Sequence, residues 1–185
     1  MILYLALAVI SLVCLALQFE PASSYAVWNI YAIHDGQWWR IVTGNLTHTN
    51  YAHLAMDLAG LWIICFLFQP KTKSFVLVFF YLSIVVGVSL LFTNITTYLG
   101  LSGILHGLFA YYALMEALSG RRSSWLLVAG VVGKVVWEHI FGPSTTTSEW
   151  IHASIAIQAH LAGTLGGLAL AGLCHRYHAV NKAIG

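Results

Sequence analysis

GLSGILHGLFAYYALMEAL, residues 100–118, is apolar for most of its length, yet it opens on a serine framed by glycines and carries a histidine one turn later. From Ser102 to Leu118 it reads as a helix near the ~20 residues that a membrane span needs. The chain around it has the same character. Of its 185 residues 59% are hydrophobic and 8% charged, against about 25% charged in an ordinary soluble domain. Five further apolar stretches lie at 2–18, 51–68, 75–93, 125–140 and 151–174. They are continuous runs rather than alternating ones, which points to helices and not to a barrel. The expectation is an all-α membrane protein: a single domain over 1–185, built as a bundle of six transmembrane helices. The first stretch lacks a preceding Lys or Arg and a clear small-residue cleavage site, so it reads as a retained helix. Cys14, Cys65 and Cys174 show neither metal spacing nor a disulfide framework.

The positive charges set the orientation. Lys71 and Lys73, Arg121 and Arg122, and Arg176 and Lys182 mark three places expected on the cytoplasmic side. With six spans, both termini are then cytoplasmic. The 19–50 segment, the 94–101 loop and the 141–150 loop face outward. The first of these contains YAVWNIYAIHDGQWWRIVTGNLTH, whose Trp and Tyr residues favour the membrane interface, so this outer loop is expected to lie on the bilayer surface. A net charge of +2, scattered along the chain, gives no footing for nucleic acid.

Ionisable residues within spans are costly and are functional candidates by default. They are His53 and Asp57 in the second span, His106 and Glu116 in the fourth, Lys134 and Glu138 in the fifth, and His160 in the sixth; His48 sits at the junction leading into the second. His53 and Asp57, four apart, share a helix face, as do Lys134 and Glu138. The latter two read most simply as a structural ion pair. Gly103 and Gly107 are four apart on the fourth span, and Ala159, Gly163 and Gly167 repeat that spacing on the sixth. Small residues so spaced let helix backbones approach closely. If these faces meet, Ser102 and His160 come together near the outer surface, and a histidine at hydrogen-bond distance activates a hydroxyl as a nucleophile. His106, one turn from Ser102 on its own helix, remains a second candidate base on these grounds.

Taken together the motifs resemble those of the rhomboid family of intramembrane serine proteases, over nearly the whole chain. Trp39 and Arg40 resemble the family's first-loop WR motif. HTNYAHLAMD, with His48, His53 and Asp57, is similar to its HxxxxHxxxN pattern. GLSGILHG, with Gly100, Gly103 and Gly107, matches GxSGxxxG, and AHLAGTLGG, with Gly163 and Gly167, matches AHxxGxxxG. The resemblance implies a rhomboid-like fold and a Ser102–His160 catalytic dyad without a third carboxylate. It further implies an oxyanion stabilised by the Ser102 N–H and the His53 side chain, with His48 orienting or structural. His106 falls at a variable position and becomes a packing residue. The chain departs from the pattern at Asp57, where the family usually has an asparagine. An ionised Asp cannot donate to an oxyanion. Asp57 is therefore expected to be protonated or to hold another group: His53 first, Lys134 less directly. No cofactor or metal is implied.

GKVVWEHIFGPS, residues 133–144, together with the short chain, is similar to rhombosortase, a bacterial rhomboid subgroup. That resemblance implies a multi-pass protein of the bacterial inner membrane with its active site toward the periplasm. Its partners are the lipid bilayer and the C-terminal transmembrane tail, of GlyGly-CTERM type, of an exported substrate. The alternative is a general rhomboid protease cleaving varied single-span proteins. A catalytically dead relative should lack the serine or the histidine. A haem protein should present histidines at matched depths on facing helices.

Overall fold

The computed structural model describes residues 2–184. Ten α-helices, two 3-10 turns (Gly44–Leu46 and Leu90–Phe92) and one short strand pair make up the described chain: α1 (Ile2–Ala16), α2 (Ala22–Ala26), β1 (Trp28–Asn29), α3 (Ile30–His34), α4 (Arg40–Thr43), α5 (Tyr51–Phe68), α6 (Thr72–Ser89), β2 (Thr97–Tyr98), α7 (Ser102–Leu118), α8 (Ser124–Phe141), α9 (Thr145–Ile151) and α10 (Ile157–Ile184). Four helical stretches are long and apolar enough to cross a bilayer: Tyr51–Phe68, Thr72–Phe92, Ser124–Phe141 and Ile157–Asn181. The two other expected spans are shorter, with 15 residues in α1 and 17 in α7.

α7 is the hub, packing against α5, α6, α8 and α10. Ile104, Leu108, Ala110 and Ala113 are fully buried on it, the first two among Leu61, Phe75 and Leu82 of α5 and α6. The outward faces stay apolar: Phe66, Leu126, Ile140 and Leu165 are all exposed. Such a belt suits contact with lipid tails and is costly in water.

Two regions depart from the expected spans. The sixth stretch, placed at 151–174, begins at Ile157, and its helix runs on past 174 to Ile184. The preceding residues close α9 with His152 in the left-handed region at φ 52° and then run without helix. Ile155 and Ala156 gave that segment the apolarity of a span, although no helix covers residues 152–156. The outer loop from Phe19 to Asn50 is folded rather than irregular. Trp28, fully buried, donates from its indole N–H to Gly87 O at 3.0 Å. A Cβ on Gly44 would collide with Trp28, and one on Gly87 with the Ile41 carbonyl. Gly44 thus lets the loop close on itself, and Gly87 lets it sit directly on α6. β1 then pairs antiparallel with β2, Trp28 opposite Tyr98, which ties this loop to the strand leading into Ser102.

Candidate active site

Ser102 opens α7, and its neighbours are pinned by side chains from elsewhere. Asp57, buried on α5, accepts the Leu101 N–H at 2.7 Å. The Tyr98 hydroxyl donates to Gly100 O at 2.7 Å. Gly100 adopts φ 122°, a backbone region that strains any residue with a Cβ. A Cβ there would also press on the His53 ring. The first N–H groups of any helix lack an intrahelical acceptor, so this fixed turn presents Ser102 at a helix end with donors in reserve.

His160 reaches Ser102 because α7 and α10 touch backbone to backbone. A Cβ on Gly163 would strike the Gly103 carbonyl, one on Gly167 the Gly107 carbonyl, and one on Gly107 would lie 2.7 Å from Gly163 O. The small faces seen in the sequence are therefore in contact. Across them His160 Nε2 lies 2.9 Å from Ser102 Oγ. His106 is turned away from that hydroxyl: its Nδ1–H donates to Ser102 O at 2.7 Å, and its ring stacks on His160 at a centroid distance of 4.0 Å.

The resemblance implies no third carboxylate, and here the arrangement differs. His160 Nδ1 lies 2.8 Å from Glu138 Oε2. A carboxylate only accepts, so Nδ1 carries the proton and Nε2 is left bare toward Ser102, the tautomer a base requires. Glu138 also takes Lys134 Nζ on its other oxygen, at 2.6 Å. The i, i+4 pair is thus present, but it is one half of a bridge that ends on His160. No local pattern announces this bond, because α8 and α10 come together only in the fold.

Asp57 faces two histidines through the oxygen that holds Leu101. His53 Nε2 lies 3.4 Å and His48 Nε2 3.2 Å from Oδ2. Lys134, the other partner the sequence offers Asp57, pairs with Glu138 instead. His53 Nδ1 lies 3.1 Å from Thr49 Oγ1, whose hydroxyl donates to Ile151 O at 2.5 Å. Trp39 and Arg40 are remote from Ser102 in the contacts they make. Arg40 is 6% exposed and donates to Ser24 O, Val27 O and the Gln37 side chain, while the Trp39 indole donates to Tyr25 O. Both staple the outer loop.

A cavity of about 470 Å³ opens over Ser102 and His160. Its walls include His53, His106, Lys134, Tyr98 and the 153–156 segment. His106, Glu138 and His160 offer donor atoms within 4.8 Å of one another. The two imidazoles, however, lie nearly parallel at 15°, so their in-plane lone pairs run side by side instead of converging on one ion.

A family model described as Rhomboid domain matches residues 35–177. A Bacillus subtilis (strain 168) protein named "Putative rhomboid protease YdcA" is 27% identical over 172 residues, covering 83% of this chain and 79% of its own length. The Arabidopsis thaliana "Rhomboid-like protein 11, chloroplastic" is 27% identical over 162 residues, 80% of this chain and 57% of its own length.

Proposed function

The chain belongs to the rhomboid family, and we propose that it is an intramembrane serine protease whose nucleophile is Ser102 and whose general base is His160. The contact of 2.9 Å between Ser102 Oγ and His160 Nε2, at the floor of an open cavity, carries the reading. Ser102 Oγ attacks the scissile carbonyl carbon as His160 Nε2 takes its proton. The tetrahedral oxyanion is met by the Ser102 N–H and the His53 side chain, each such donor supplying on the order of 3 kcal/mol. The C–N bond breaks as His160 returns the proton to the leaving amine. Water, deprotonated by the same nitrogen, then releases the acyl group from Ser102.

The substrate class we propose is the GlyGly-CTERM tail of exported proteins, in a bacterial inner membrane. On this reading the chain crosses six times, with both termini in the cytoplasm and the site toward the periplasm, an orientation supported by the Lys and Arg residues at 71, 73, 121, 122, 176 and 182. The Lys134, Trp137 and Glu138 cluster of α8 supports this choice over a general rhomboid protease. The test is co-expression with two membrane reporters, one ending in a GlyGly-CTERM tail and one carrying an unrelated single span. Wild type should process the first alone, and Ser102→Ala neither. Equal processing of both by wild type would transfer the protein to the general class. Processing that survives Ser102→Ala would contradict the protease reading.

A further inference from the structure

Glu138 does more than neutralise a lysine. It is buried to 7% exposure, yet it sits near the outer end of α8, three residues before the helix stops. Its two oxygens are divided between Lys134 and His160 Nδ1. If the carboxylate served only Lys134, it would have no reason to be inside, because the Lys134 side chain is 51% exposed and could pair in the open. An exposed pair of that kind contributes little to stability. The burial is explained by the other oxygen.

We propose that Glu138 is a positioning residue that makes the site a Ser102–His160–Glu138 relay: it holds the His160 ring with Nδ1 protonated and Nε2 bare, and it stabilises the imidazolium formed when Ser102 gives up its proton. This rests on the protease reading above. No proton passes to Glu138; it remains with His160 until the leaving amine takes it. Lys134 braces the far oxygen, which fixes the carboxylate plane.

The experiment measures cleavage of one tailed reporter by the purified full chain, with kcat and KM determined separately for Glu138→Ala, Glu138→Gln, Lys134→Ala and Ser102→Ala. It is paired with the proton resonance of the His160 Nδ1–H. Glu138→Ala should lower kcat by ~10²–10⁴-fold, as in other hydrolases whose histidine loses its carboxylate, with KM within a few-fold and the downfield N–H resonance lost. Glu138→Gln keeps the side-chain volume and should fold with an unchanged melting temperature while kcat still falls by more than ~10-fold. Lys134→Ala should stay within ~10-fold of wild type and keep the resonance. Equal losses in Lys134→Ala and Glu138→Ala would reduce the cluster to a structural ion pair and overturn the proposal. So would wild-type kcat in either Glu138 variant beside an inactive Ser102→Ala. Cleavage that persists in Ser102→Ala would instead overturn the protease reading.

Discussion

Two helices reach the Ser102–His160 pair from different sides, and they are built on opposite terms. α10 lies on α7 with glycine against carbonyl, and a single added methyl at Gly163 or Gly167 meets backbone oxygen. α8 carries Gly130 and Gly133, around which an added methyl meets nothing. Only Ser124, Val131, Val135 and Glu138 are buried on α8, while Leu126, Val136 and Ile140 face outward. The same residue type, glycine in an apolar helix, thus marks a close-packed seam in one place and an open, outward face in the other. The base is mounted on the close-packed seam. The carboxylate behind it is carried by the helix with the open outward face, and its two bonds to Lys134 and His160 hold it in place.

The largest effects test whether the seam has a chemical purpose. Ser102→Ala and His160→Ala should each bring reporter cleavage to background, and the double variant should add nothing, because the two act as a unit. Additive losses in the double variant would separate them. Next come the seam glycines. Gly163→Val should cost more than the ~1–3 kcal/mol usual for overpacking, since the obstacle is backbone and cannot rotate away. A lowered melting temperature and lost labelling by a serine-directed probe would report it. An unchanged melting temperature would mean the helices do not touch there.

A middle-sized effect belongs to Asp57. Asp57→Ala leaves the Leu101 N–H without its acceptor, a loss of about 1–3 kcal/mol. Cleavage should fall by up to ~100-fold, at tenfold per 1.4 kcal/mol. Asp57→Asn still offers an oxygen to Leu101 and should stay within ~10-fold of wild type. Equal and severe losses in both would make the carboxylate charge itself essential. The smallest effect is Gly133→Ala on α8. It should leave cleavage unchanged and stabilise the helix by up to ~1 kcal/mol. A loss of activity there would show that α8 is packed more tightly than its open surroundings indicate.

What the sequence made legible follows from which signals are local. The apolar runs gave α5 and α7 with their observed ends, because a long apolar helix declares itself by composition alone. The four-residue spacing of Gly103, Gly107, Ala159, Gly163 and Gly167 announced a close contact, since small residues on one face have that consequence. The start of α10 was hidden, because Ile155 and Ala156 have the composition of a helix without its backbone and Ile151 belongs to the separate helix α9. Asp57 was recognisable as unusual, but its bond to Leu101 N–H spans 44 positions of chain. The Glu138–His160 bond spans 22 and was masked by the nearer, self-sufficient pairing with Lys134. Long-range side-chain bonds leave no period in a sequence, and they are what complete this site.

The most direct test of the central claim is labelling of the detergent-purified protein by a fluorophosphonate, with the adduct mapped by mass spectrometry. The account predicts one adduct, on Ser102, in wild type and its loss in His160→Ala, with His106→Ala still labelled. Labelling of Ser102 that survives in His160→Ala but disappears in His106→Ala would contradict it.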